Sequence, residues 1–526
     1  MVKDSAKEEL RELFSHSPVL TPLQKEVQSR VLGGLNELLC TKTVKAPTCD
    51  ESLKAKFRLN GGNGQSVPTL SYIEQLLCEV VQNSINMSSP RCMGHMTGPL
   101  PSFVRPLGEL VVLLNQNMVK TEASRAFTML ERQTIAAIHR LIYNFSEEFY
   151  ARHVQSEASN LGIMTSGGTL ANITALWIAR NSLLGATEGF AGVEEAGMAD
   201  ALAHHGHQGA VVLASRLTHY SMKKAVCLLG MGARSLIEIP TDRRNRMDIS
   251  ELRRALAECR ARGQLVVAVV AAAGTTDCGS IDPLTEVADI AQEHEIHFHV
   301  DAAWGAPLLF SRRHQHALSG IERADSVTVD GHKQMYLPLG SSLLLLRSPQ
   351  AAHVIEKHAQ YILREDSADL GKCSLEGSRG AGALFLHAAL HIIGQRGYEL
   401  LVDENIHKAQ TLAGHIRRRP EFELLAEPET NIILYRYVPP ALREKRVCGR
   451  LSEEDNAQIS NLNERLQREQ YEAGRTFVSR TTFVNSACYN GTPLTALRAV
   501  VHNPLAEEED LLSVLEDQSR IAAQLV

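Results

Sequence analysis

At 526 residues the chain exceeds what one small core can organise, so two or three globular parts are expected. Hydrophobic residues at 44% and charged residues at 22% exclude a disordered or collagen-like chain. A net charge of −6 offers no basic footprint for nucleic acid, and no window reaches the roughly eighteen apolar residues of a membrane span.

The N-terminus, MVKDSAKEELRELF, is charged throughout and lacks an apolar signal-peptide core. Residues 5–40 place Leu10, Leu13, Leu20, Leu23, Val27, Val31 and Leu35 at helical spacing, which predicts two amphipathic helices broken near Pro18 and Pro22. Helices of that length are marginal alone in water, so they need a burial partner, for which a second subunit is a candidate. NGGNG at 60–64 reads as a joint, and the turn-rich MSSPRCMGHMTGPLPSF at 87–103 as a loop lining a site.

From about residue 160, short apolar runs alternate with helical patterns: GAVVLAS (209–215), QLVVAVVAAA (264–273), IHFHVDAA (296–303) and SSLLLLRS (341–348). Near-continuous runs of this kind fit strands covered on both faces, and the alternation predicts an α/β fold with a mainly parallel sheet. MDISELRRALAECR offers Asp248 or Ser250 as the cap of an intervening helix. Beyond about residue 385 the chain turns helix-rich, with NIILYRYV (431–438) among its few strands. We therefore expect a helical arm with its loop over 1–105, a large domain over 106–388 and a small α+β domain over 389–526. The ten cysteines form no CxxC pair, which predicts no metal site, no disulfide framework and a cytoplasmic setting.

Three segments carry chemistry. MTSGGTLAN (164–172) puts glycines and hydroxyls directly before an amphipathic stretch, where the free N–H groups of a helix start suit a phosphate. From these residues alone, a plain turn capped by Thr169 reads equally well. In IHFHVDAAWG (296–305), alternation puts His297, His299 and Asp301 on one face. A carboxylate at the end of an apolar strand needs a cationic partner, and a protonated pyridine nitrogen would be one; a helix cap or an ion pair would also satisfy it. His299 reads as a packed or hydrogen-bonded histidine rather than a catalyst. DSVTVDGHK (325–333) runs a strand into a turn bearing His332 and Lys333, and a buried or cation-flanked lysine can condense with an aldehyde.

In order and spacing these segments resemble the group II pyridoxal-phosphate-dependent amino-acid decarboxylases, the glutamate-decarboxylase-like enzymes of fold type I. The resemblance rests on TSGGT (165–169), SRLTHYSMKKA (215–225), GTTDCGSIDP (274–283), HVDAAWG (299–305), the pair His332-Lys333 and the pair Ser378-Arg379. It implies pyridoxal 5′-phosphate as cofactor, decarboxylation of a small amino acid, and a homodimer. It further implies that Lys333 holds the cofactor covalently, Asp301 pairs with the ring nitrogen, and His219 stacks on the ring. Gly168, Thr169 and His332 would bind the phosphate, and Thr276 would lie near the ring's phenolic oxygen or Asp301.

Within that family, NMSSPRCMGHM and LNQNMVKTEASRAFTMLERQ resemble bacterial aspartate 1-decarboxylases, which make β-alanine for pantothenate. Aspartate is thus the expected substrate, ahead of glutamate, cysteine sulfinate and 2,4-diaminobutyrate, with Arg91, Arg105, Lys120 and Arg125 as cations available to a side-chain carboxylate. An aminotransferase is the competing class, but Gln334 to Leu346 lacks the arginine many of them carry there. Residues 362–373 contain no tyrosine, whereas several family members reprotonate the substrate from a loop tyrosine. The proton donor is then expected to be His219, water or a group of the partner subunit, and decarboxylation coupled to oxidative deamination stays open.

Overall fold

The computed structural model describes residues 21–47, 50–57, 66–359, 367–484 and 491–526. Thr21 starts helix α1 (Pro22–Leu39) because its hydroxyl accepts from the Gln24 amide while the Gln24 side chain accepts from Thr21, and Pro22 occupies the first turn, where a missing N–H costs nothing. The more N-terminal helix expected before it lies outside the described residues. Helix α2 (Thr69–Glu79) packs on α1, yet neither holds a buried residue.

The large sheet contains β1 (Gly162–Thr165), β2 (Gly209–Ser215), β3 (Leu236–Ile239), β4 (Gln264–Ala272), β5 (His297–Asp301), β6 (Ser326–Asp330) and β7 (Ser342–Leu346), in the order β1-β7-β6-β5-β4-β2-β3. From β3 to β6 all neighbours run parallel, whereas β7 is antiparallel to both β6 and β1. The apolar runs are continuous because both faces are covered. One face packs Leu213, Val269, Val300 and Val329 against Ile135 of α4 (Ala126–Tyr143); the other packs Val212, Val267 and Val270 against Ile173 and Leu176 of α5 (Gly168–Leu183). Helix α3 (Val104–Leu114) precedes α4 on the surface. Asp248 is the cap of α6 (Ile249–Ala261), accepting from the Ser250 and Glu251 amides.

Helix α7 (Ala383–Ile392) leads into the long α8 (Gly394–Arg418), which serves two cores: Tyr398, Val402 and Ile406 join the large one, Ala409, Leu412 and Ile416 the small one. The small sheet is antiparallel, β10-β11-β9-β8, with β8 at Phe422–Leu424, β9 at Ile432–Tyr437, β10 at Ser479–Phe483 and β11 at Leu494–Val500. The 87–103 segment is held by backbone bonds to the far end of the chain. Its Met93 amide donates to the Phe477 carbonyl and its carbonyl accepts from Val500, so the segment docks on the small domain. Among the described residues no helix is long and apolar enough to cross a membrane, no histidine, cysteine and carboxylate cluster suits a metal, and eight cysteines are free.

Candidate active site

Strands β1, β5 and β6 end in Thr165, Asp301 and Asp330, and the turns beyond them enclose a cavity of about 260 Å³, at the carboxyl edge where open α/β sheets hold ligands. Gly168, Thr169, His219, Thr276, Asp301, His332 and Lys333 all line it. Residues separated by as much as half the large domain thus share one space.

The start of α5 forms one wall. Its cap is the extended Gly167, and no side chain caps it, so Thr169 does not play that part. A Cβ on Gly168 would lie 2.8 Å from both carboxylate oxygens of Asp330, which is why only a glycine fits there. Asp330 is the residue that sequence reasoning passed over. Its Oδ2 pairs with Lys333 Nζ at 3.0 Å and lies 3.7 Å from His332 Nε2, while its buried Oδ1 has no partner. Burial alone would raise the Asp330 carboxyl, but the adjoining Lys333 and His332 charges outweigh it and hold it below the usual carboxylate range. The alternation Thr328, Asp330 along β6 was the available signal.

The turn that carries Lys333 is braced from the small domain. The Lys333 carbonyl accepts from the Tyr336 amide and from Nε2–H of His502, both at 3.0 Å. Tyr336 adopts the left-handed φ of 59°, uncommon for a side chain of its size, and its ring stacks on His502 at 4.3 Å. Burial pushes His502 down to about 4.

Asp301 makes no ion pair among the described residues. Its Oδ1 accepts from the Ala303 amide at 3.2 Å and its Oδ2 from Asn172 at 2.9 Å. Burial pushes His299 down to about 3, so it is a neutral, hydrogen-bonded histidine, as the sequence suggested. His219 Nδ1 lies 2.8 Å from the Ser221 hydroxyl; burial lowers its pKa, and Lys333 lowers it further while Asp301 acts in the opposite sense.

Thr276 presents its carbonyl to Nε of Arg498 at 2.7 Å. Arg498, on β11, is buried, which pushes its guanidinium down to about 10, and its Nη2 has no hydrogen-bond partner. No local pattern in LTALRAV distinguishes it from a strand arginine at the surface. The four cations expected to meet a substrate carboxylate lie elsewhere: Arg91 pairs with Asp510, Lys120 with Glu122, Arg105 and Arg125 are exposed, and none lines the cavity. The 87–103 segment does not line it either. Tyr361 and residues 362–366 lie outside the described residues; Leu370–Cys373 forms a 3₁₀ turn away from the cavity.

The donor set suits pyridoxal phosphate: an amine at Lys333 for the aldehyde, a carboxylate at Asp301 for the ring nitrogen, and a helix start without a capping side chain, beside His332, for the phosphate. Comparison with known proteins agrees. The family described as pyridoxal-dependent decarboxylase conserved domain matches residues 68–438. The chain is 42% identical over 456 residues to an aspartate 1-decarboxylase of Aliivibrio fischeri, covering 86% of this chain and 83% of that one. It is 30% identical over 363 residues to an L-2,4-diaminobutyrate decarboxylase of Rhizobium meliloti, covering 68% and 67%. The crystal structure of mouse CSAD in apo form superposes with a TM-score of 0.81 at 25% identity, covering 95% of this chain and 98% of that one.

Proposed function

Because the chain belongs to the pyridoxal-dependent decarboxylase family and decarboxylates an amino acid with pyridoxal phosphate, we propose that this amino acid is L-aspartate, converted to β-alanine and carbon dioxide. The observation that carries the substrate assignment is the likeness to the Aliivibrio fischeri aspartate enzyme, and Arg498 supports it: it lies behind the cavity wall, donating to the carbonyl of the cavity-lining Thr276, and its buried Nη2 has no hydrogen-bond partner. A buried cation favours an anionic side chain and repels the ammonium of 2,4-diaminobutyrate.

Bound pyridoxal phosphate supplies the electron-withdrawing ring into which the Cα–carboxylate electrons flow. The remaining work falls to the chain. Lys333 Nζ would hold the aldehyde carbon, and Asp330 Oδ2, 3.0 Å away, would stabilise the free lysine as an ammonium. Asp301 would keep a proton on the ring nitrogen. His219 would restrain the ring face, and the proton for Cα would come from His219, from water or from a group of the partner subunit within hydrogen-bond reach. Gly168, Thr169 and His332 would hold the phosphate, and Thr276, whose carbonyl accepts from Arg498, would border the ring.

A homodimer is supported by what one copy leaves exposed. Helices α1 and α2 pack on each other but contain no buried residue, Val112 of α3 is 74% exposed, and Leu339, at the cavity wall, is 75% exposed. Free thiols at the eight described cysteines support a cytoplasmic setting.

The decisive experiment offers purified holoenzyme aspartate, glutamate, cysteine sulfinate and 2,4-diaminobutyrate under air, and measures carbon dioxide, amine and peroxide. Aspartate should react fastest, with one β-alanine per carbon dioxide and no peroxide. Faster release from another amino acid overturns the substrate, peroxide equal to carbon dioxide means oxidative deamination, and amino transfer without carbon dioxide overturns the reaction.

A further inference from the structure

Asn172, in the first turns of α5, is buried beneath the candidate site and makes four hydrogen bonds with its side chain. Its Nδ2 donates to Ser221 Oγ and to Asp301 Oδ2, both at 2.9 Å. Its Oδ1 accepts from Thr328 Oγ1 at 2.7 Å and meets His299 Nε2 at 3.0 Å. A primary amide has two donor hydrogens and two acceptor sites, so its capacity is exhausted.

The direction of every bond follows. A carboxylate only accepts, so the amide NH₂ must face Asp301 and the amide oxygen must face His299. His299, kept neutral by burial, therefore carries its one proton on Nε2. Its bare Nδ1 then takes the hydroxyl hydrogen of Ser326, 2.9 Å away. On the other side, the Ser221 amide N–H donates to Nδ1 of His219 at 3.3 Å, so that nitrogen is an acceptor, and Ser221 Oγ, which receives an Asn172 hydrogen, turns its own hydrogen to it at 2.8 Å. The proton of neutral His219 is thus on Nε2. Substituting leucine would keep the approximate size of this side chain, add no charge and abolish both donations.

We propose that Asn172 is a positioning residue of the reaction, aiming the Asp301 carboxylate at the cofactor ring directly and fixing the Nε2–H tautomer of His219 through Ser221. The inference rests on the roles given above to Asp301 and His219. Because every member of the chain beneath Asp301 is neutral, no buried cation competes for its charge, which is left for the ring N–H.

The test is nitrogen NMR on the full-length holoenzyme with labelled histidine and pyridoxal phosphate labelled at its ring nitrogen. In the unaltered protein, His219 and His299 should both show the Nε2–H tautomer and the ring nitrogen should be protonated at neutral pH. In Asn172→Leu, which removes both donations without adding charge, the apparent pKa of the ring nitrogen should fall by about one unit or more as the carboxylate loses its aim, and the Nε2–H form of His219 should lose population. Ser221→Ala should loosen the His219 tautomer and leave the ring nitrogen unchanged. A ring nitrogen that titrates identically in Asn172→Leu overturns the proposal. So does an Nδ1–H tautomer at either histidine in the unaltered protein, a result that needs no variant to fold. If the unaltered protein fails to hold the cofactor at Lys333, it is the assignment of the site that falls, not the role of Asn172 within it.

Discussion

An amine condenses with an aldehyde only when it can lose its proton, and Lys333 stands in a cavity wall within 3.0 Å of a carboxylate that its own loss of charge would leave unpaired. Borohydride reduction of the holoenzyme followed by peptide mapping should mark Lys333; a label on Lys223 or Lys224 would remove it from the reaction. Asp301→Asn should keep the cofactor and lose turnover by about a hundredfold or more, since an amide cannot hold the ring proton as a carboxylate does; kcat measured at saturating cofactor checks this. Arg498→Gln should raise KM for aspartate by about tenfold or more with a smaller change in kcat, because the lost contact is made to bound substrate as well as to the transition state. Asp301 was legible in the sequence because a charged residue at the end of an apolar strand demands an explanation, and Lys333 because it follows the other motifs in order and spacing. Asp330, which ends β6, carried the same strand-end signal and was passed over. Arg498 and Asn172 were not legible, because their contacts with Thr276 and Asp301 are encoded by no local spacing.

At the scale of elements, apolar runs located the strands but not their ends. GAVVLAS coincides with β2, whereas IHFHVDAA runs past Asp301 because Ala302 and Ala303 are as apolar as a strand but form the turn that supplies an amide to Asp301. The 87–103 segment was correctly read as turn-rich, but its partners Phe477 and Val500 were not legible, since they come from the far end of the chain. The start of α5 makes a sharp prediction. Gly168→Ala drives a methyl group into the Asp330 carboxylate and should weaken cofactor binding by about tenfold or more, measured by equilibrium dialysis. Gly167→Ala, whose added Cβ meets nothing within 4 Å and whose backbone is extended, is the folding control.

For the whole molecule, sedimentation of the holoenzyme should show a dimer; an active monomer would mean that α1, α2 and α3 are covered by something else. Stability against acid is set in part by histidines buried as neutral rings: burial pushes His139 and His502 down to about 4 and His299 to about 3. Each binds a proton in the unfolded chain near pH 6.5 but resists one when folded, so stability falls as pH drops from about 6.5 toward 4, by up to about 1.4 kcal/mol per pH unit per histidine. A melting temperature unchanged over that range would contradict this. The strand order has a consequence for how the protein comes into being. Strand β1 is joined to the sheet only through β7, so the β1 side of the Ser166–Thr169 turn has no hydrogen-bonded strand beside it until residue 346 has left the ribosome. At about 5–20 residues per second that interval is roughly 10–40 s, during which the apolar edge awaiting β7 is a natural substrate for chaperones. Arg498 emerges later still. The residues assigned to the cofactor are therefore all synthesised by about two thirds of the way along the chain, whereas the arginine assigned to the substrate arrives only with the small domain.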